Sequence, residues 1–244
     1  MPHGFFPAAL VLAGILALAT FAGCDRAPSA PAAGNPATSA PAGSPVNATP
    51  LGGQVAERIG LGQLSGRTYT HPHFKLSLTI PEGWYIQTKS ESDQLVRTGT
   101  SMVKDPSMRA AAESAQQRTL NLLSAFRHPL GTPVPVNENL ILTAENVAML
   151  PGIKGGEDYL KIVEQQLRHG MAMKYETDPI EGGFKIGSYP AGRIMTHTEI
   201  LGQQITQELY ATRAGDYVLL VALSYGNDEQ WEALQAILDS LTAG

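Results

Sequence analysis

The clearest patterning in the chain begins at Phe74, where Phe74, Leu76, Leu78 and Ile80 alternate with Lys75, Ser77 and Thr79. A period of two predicts a strand with one buried face. Ile80-Pro81-Glu82-Gly83 suits a tight turn, because proline presets φ at its second position and glycine serves at its fourth. Trp84 to Thr88 is expected to return as the next strand. Asp105-Pro106 reads as an N-cap followed by proline in the first helical position, opening an alanine-rich helix that should pack close to its support. Leu120, Leu122, Ser124 and Phe126 then alternate as a strand, and after a proline-rich loop Leu140 to Ala144 form another.

From Glu157 the spacing changes to that of a helix, with Tyr159, Ile162, Val163, Gln166 and Leu167 on one face and Gly170 as C-cap. Three strands follow, over about 187–197, 203–213 and 216–225, joined at Leu201-Gly202 and Ala214-Gly215. Such short turns require antiparallel neighbours. The run "YVLLVALSY" is continuously apolar, so it should be a central strand covered on both faces. A last helix opens at an Asn227 cap, with Asp228 and Glu229 in its first turn. Its expected buried stripe is Trp231, Leu234, Ile237, Leu238 and Leu241, which makes Trp231 a core residue. The predicted class is α+β: a mainly antiparallel sheet flanked by helices on both faces, an α/β/α sandwich.

Two segments precede this domain. Gly4 to Gly23 carry no charge and are long enough for the apolar core of a secretory signal or a single membrane-spanning helix. Residues 27–50 are Ala, Pro, Ser, Thr, Gly and Asn apart from one Val, again without charge. That composition cannot bury enough apolar surface to offset the entropy of ordering, and predicts a disordered tether. The expected division is therefore a signal over 1–23, a tether over 24–54 and a globular domain over 55–244, its regular elements lying between Ser65 and Leu241.

The single cysteine, Cys24, stands where the apolar stretch ends. "FAGC" resembles the lipobox of bacterial lipoprotein precursors, with Phe21 where an aliphatic residue is usual. The resemblance implies that Cys24 is acylated and becomes the mature N-terminus. Two or three acyl chains would anchor firmly, since each buried methylene contributes about 0.8 kcal/mol. Asp25 resembles the inner-membrane retention signal of enteric lipoproteins. The expected location is the cell envelope, facing the periplasm.

With 17 basic and 22 acidic residues the net charge is -5, without a dense basic cluster, which argues against nucleic acid as a partner. One cysteine permits no internal disulfide and no cysteine-based zinc site. No Walker A, HExxH, GxSxG or EF-hand sequence is present. Ser101 and Lys104 match SxxK, but the companion SDN and KTG motifs are missing. A serine hydrolase using that pair is a lesser alternative, and the catalytic assignment is none. His71 and His73, at i and i+2, could face one side of an extended segment and hold copper or zinc weakly. Two ligands do not make a site, so no metal or cofactor is assigned.

"FKLSLTIPEGWYI", "NENLILTAENV", a helix containing "GGEDYL", "GSYPAGRIMTHT", "QELYATRAGDYVLLVALS" and "WEALQAILDSL", in that order, are similar to the PsbP/Mog superfamily, whose bacterial members include DcrB-type lipoproteins. The resemblance runs from about Tyr69 to Leu241 through hydrophobic and turn positions. It implies an antiparallel sheet between helices and a role through protein contacts, and transfers no functional residue. The resulting expectation is a lipid-anchored, non-catalytic envelope protein that binds other envelope proteins or assists their assembly. A small-ligand or metal-binding module is the alternative.

Overall fold

The computed structural model describes residues 51–101, 103, 106–170 and 173–243. The first element is a short helix, α1 (Gly53–Ile59), followed by three strands, β1 (Gln63–Ser65), β2 (Thr68–His71) and β3 (Leu76–Thr79). Next come β4 (Tyr85–Ile86), α2 (Lys89–Ser101), α3 (Pro106–Arg118), β5 (Thr119–Phe126) and β6 (Asn139–Asn146). The second half contains α4 (Gly156–Gly170), β7 (Glu176–Thr177), β8 (Glu181–Ile186), β9 (Tyr189–Ile200), β10 (Gln203–Ala214) and β11 (Tyr217–Tyr225). It closes with α5 (Asp228–Asp239) and β12 (Thr242–Ala243).

The strands form two antiparallel sheets. The large one runs β4-β5-β6-β11-β10-β9-β7, with β8 also on β9, and the small one runs β1-β2-β3-β12. On one face of the large sheet, α4 and α2 bury Tyr159, Leu160, Val163 and Val96 against Ile194, Leu209 and Leu220. On the other, the small sheet, α1 and α5 bury Leu76, Leu78, Val55 and Leu234 against Leu140, Leu219 and Val221. The class is α+β as expected, with the small sheet sharing the second outer layer with the helices. Every residue of β11 is buried, because it lies between β10 and β6 with a packed layer on each side.

Local rules account for much of this. Asn227 Oδ1 accepts from the Gln230 amide at 3.0 Å and caps α5. Ala112 and Ala115 let α3 lie close to its support. The helix α2, absent from the sequence expectation, has a capping box: the Glu91 amide donates to Thr88 Oγ1 at 3.3 Å and the Thr88 amide to Glu91 Oε2 at 2.8 Å.

Three expectations are corrected. First, β3 and β4 do not pair as a hairpin, and the expected strand over 84–88 shrinks to two residues. Arg67 holds the turn between them, its Nε donating to the Ile80 carbonyl at 3.1 Å and its Nη2 to those of Pro81 and Trp84 at 2.7 and 2.6 Å. The chain is thereby passed from one sheet to the other. Second, the alternation of Leu120, Leu122, Ser124 and Phe126 breaks at a bulge. Asn121 pairs with Thr143 but Leu123 with the adjacent Leu142, leaving Leu122 extra. The bulge switches face parity, so Leu120 and Phe126 enter opposite cores.

Third, Trp231 is not core. It is 36% exposed at the surface of α5, and its indole N–H donates to Glu208 Oε1 at 2.8 Å. The helical spacing placed it on the inward stripe, but its polar atom finds a partner only at the margin of that stripe.

Candidate functional site

A cleft of about 180 Å³ opens beside the β4 edge of the large sheet. One wall comes from β1 and the loop before it, through Leu61, Gly62 and Leu64, backed by Tyr69 of β2. The other comes from Ile86 and Gln87, the start of α2, and the bulged stretch of β5. Leu61 and Leu64 are 44% and 48% exposed, so the rim is apolar and open. Tyr69 hydroxyl donates to the Leu61 carbonyl at 2.8 Å and fixes this loop. A Cβ on Gly62, whose φ is +75°, would stand 2.4 Å from the tyrosine oxygen, so only glycine fits there.

The floor is polar. In a regular strand Asn121 and Ser124 would point to opposite faces; the bulge at Leu122 brings them together, and Asn121 Nδ2 donates to Ser124 Oγ at 2.8 Å. Ser92 Oγ lies 3.1 Å from Gln87 Oε1, to which it donates, and 3.3 Å from Ser124 Oγ. Gln87 is 8% exposed, and its Nε2 has no hydrogen-bond partner among the described residues. Lys89, the only cation lining the cleft among the described residues, is held by both oxygens of Asp93 at 2.8 and 2.9 Å. The two serine hydroxyls are paired with amides and with each other, an arrangement that orients a ligand and does not activate a nucleophile. No sequence motif marked this site. The capping box at Thr88 and Glu91 was the one readable signal, and it locates α2 without locating the cleft.

A second polar cluster is buried. Glu208 of β10, 1% exposed, accepts from Tyr210 hydroxyl at 2.5 Å, Tyr225 hydroxyl at 2.8 Å and the Trp231 indole. Arg193 Nη1 lies 3.5 Å from the same carboxylate, and its Nη2 is 2.6 Å from Glu181. Burial, reinforced by the adjacent Glu208 carboxylate, pushes both tyrosine hydroxyls up from their ordinary pKa. Three neutral donors and a guanidinium converge on one carboxylate, which ties α5 and the β9 edge to β10.

Of the residues singled out from sequence, the structure brings together His71 and His73. Cys24, Asp25, the apolar leader, the tether up to residue 50 and Lys104 lie outside the described residues, as does the Asp105 cap. The last expected tether residues belong instead to the folded domain: Leu51 is buried and α1 starts at Gly53, ahead of the expected first regular element at Ser65. Ser101 is the last residue of α2. β2 ends at His71 and the chain turns through Pro72 to Lys75, and this turn leaves the His71 and His73 rings edge-on with centroids 6.5 Å apart. His71 is buried, with Nε2 3.3 Å from the Gly60 carbonyl, while His73 is exposed and meets Tyr217 edge-on. Among the described residues no group of three His, Cys, Asp or Glu side chains is placed to hold a metal. Likewise, no described helix is long and apolar enough to cross a membrane.

Burial lowers the His71 pKa, and the Gly60 contact opposes that shift while nearby His73 adds to it. Above the ordinary histidine value of about 6.5 the ring is neutral whether the chain is folded or not. As pH falls through that value, the unfolded chain takes up a proton that the folded site resists, so stability falls and then levels off below the lowered pKa. Urea unfolding between about pH 7 and 5 should therefore show a declining stability that flattens in His71→Phe; an unchanged slope in the variant would remove His71 as the cause.

No family model matches the chain, and no curated protein matches it. Solved structures with a similar arrangement include the cyanobacterial PsbP, CyanoP, of Synechocystis. It is 12% identical with a TM-score of 0.43, the match covering 75% of this chain and 99% of that one. The Ran-binding protein Mog1p of Saccharomyces cerevisiae is 10% identical with a TM-score of 0.38, covering 74% and 96%. LpqN of Mycobacterium tuberculosis, involved in cell envelope biogenesis, is 11% identical with a TM-score of 0.38, covering 68% and 82%. The match spans about half (49%) of the length of a further neighbour from Bacteroides thetaiotaomicron. What the described residues themselves establish is the α+β class, two antiparallel sheets with helices on both faces of the larger.

Proposed function

We propose that this chain is a lipid-anchored protein of the bacterial cell envelope, acylated at Cys24, whose domain is a non-catalytic module, PsbP/Mog-like and akin to DcrB-type lipoproteins, that binds other envelope proteins. The observation that carries the binding role is the edge at β1: Leu61 and Leu64 are both exposed at the rim of one cleft, and among the described residues β1 pairs only with β2. Unpaired strand edges with apolar side chains favour the addition of a partner's strand. The anchor reading rests on Cys24 at the end of an uncharged apolar stretch, and on the uncharged segment after it, which would hold the module off the membrane. Asp25 favours the inner membrane, facing the periplasm.

Cells fed a clickable fatty acid should label the wild-type chain and not Cys24→Ser; an unlabelled wild type overturns the anchor. In-cell crosslinking followed by capture should recover envelope proteins, and Leu64→Asp should reduce that yield several-fold with little change in stability, since Leu64 is half exposed. Equal recovery by the variant removes the β1 edge as the contact. Esterase and amidase probes should show no turnover that Ser101→Ala abolishes.

A further inference from the structure

We propose that the cleft beside β4 is a binding site for a small neutral amphiphile, a carboxamide or similar carbonyl compound with a short apolar chain. This goes beyond the protein-binding role, because it assigns the cleft a ligand of its own.

Three observations converge on that chemistry. Gln87 is more than nine-tenths buried, lines the cleft and keeps an unpartnered Nε2 donor, its Oε1 being taken by Ser92. A buried donor without a partner is costly; Nε2 is closed off from solvent here, so a ligand recovers the lost hydrogen bond when the Gln87 side chain turns toward its carbonyl oxygen. Beside it, Asn121 commits Nδ2 to Ser124, leaving its amide oxygen to accept an N–H from the ligand. A carboxamide head satisfies both amides.

The charge of the site selects the head further. Lys89 is clamped by Asp93 within the same helical turn, so the cleft has no uncompensated cation to attract a carboxylate or phosphate. The body of the ligand is set by Leu61, Leu64, Ile86 and Leu122, which line the cleft with apolar side chains. Covering such surface contributes roughly 25 cal/mol per Å². The volume, about 180 Å³, equals about six waters at about 30 Å³ each, room for a chain of a few carbons and no more.

The test uses the full-length chain in membranes and a diazirine derivative of hexanamide as photoprobe. Illumination followed by peptide mapping should place the label in the stretches 61–64, 86–92 and 121–124, and unlabelled hexanamide should compete it away. Hexanoate should compete more weakly. Gln87→Met should raise the competing concentration of hexanamide roughly three- to tenfold, the worth of one hydrogen bond. Leu64→Ser, at an exposed position outside the polar floor, should raise it as well while the thermal midpoint stays unchanged. Label scattered over the surface, or competition identical in Gln87→Met and the wild type, would overturn the proposal. A specific cleft label in a protein that captures no envelope partner supports this site and overturns the protein-binding role alone.

Discussion

Replacing Glu208 by leucine is expected to destabilise the domain by about 3 to 5 kcal/mol, the usual cost of removing one partner from a buried charged cluster. The carboxylate is 1% exposed and accepts from Tyr210, Tyr225 and Trp231 while facing Arg193. Without it, two hydroxyls and an indole N–H are left unpartnered around an apolar side chain, each costing about 1 kcal/mol or more. Arg193 keeps its place over the Phe184 ring, 4.6 Å from the centroid, and Glu181, whose carboxylate is 56% exposed and attracts it weakly. Glu208→Gln retains one acceptor and the shape of the side chain, so it should cost markedly less. Urea denaturation followed by circular dichroism reads the stability of each variant. A leucine variant within 1 kcal/mol of the wild type would show that the cluster contributes specificity without stability.

Gly156→Ala should cost about 3 kcal/mol, the upper end of ordinary overpacking. A Cβ there would lie 1.7 Å from the Ala211 carbonyl oxygen and 2.4 Å from its carbon, both backbone atoms of a central strand. Because β10 is locked between β9 and β11, the strand cannot yield and α4 must lift instead. Lifting α4 opens the packing of Tyr159, Leu160, Val163 and Leu167, all at most 1% exposed. At roughly 2 to 4 °C per kcal/mol for a domain of this size, the thermal midpoint should fall by roughly 6 to 12 °C. Gly155→Ala is the internal control, since its Cβ would meet nothing within 4 Å. Equal midpoints for the two variants would refute the close approach of α4 to β10.

Neither Glu208 nor Gly156 carried a functional or steric label in the sequence. "GGEDYL" signals the start of a helix, yet which of its two glycines touches a strand depends on Ala211, 55 positions later in the chain, and so on tertiary packing. Glu208 sits among the alternating residues of a strand, and its inward side shows only when α5 lays Trp231 over it. The candidate cleft was illegible for the same reason. Its floor depends on an extra residue at Leu122, and periodicity cannot distinguish a bulge from a regular strand when Leu122 and Leu123 are both apolar.

The sequence by itself determined the order and type of the long elements, from β5 and β6 through α4 to the β9-β10-β11 meander and α5. Hydrophobic period, caps and short turns are local signals, and here they agree with one another. It also determined that β11 is buried on both faces, because nine consecutive residues carry no charge and only one small hydroxyl among apolar and tyrosine side chains. Only the tertiary structure decided which sheet each early strand joined. Arg67 captures three carbonyls across the Pro81 turn and parts β3 from β4, and Ser240, far along the chain, accepts from the Thr79 amide at 3.0 Å as β12 pairs with β3. Those contacts bridge up to 161 positions, and no window of local sequence contains both partners.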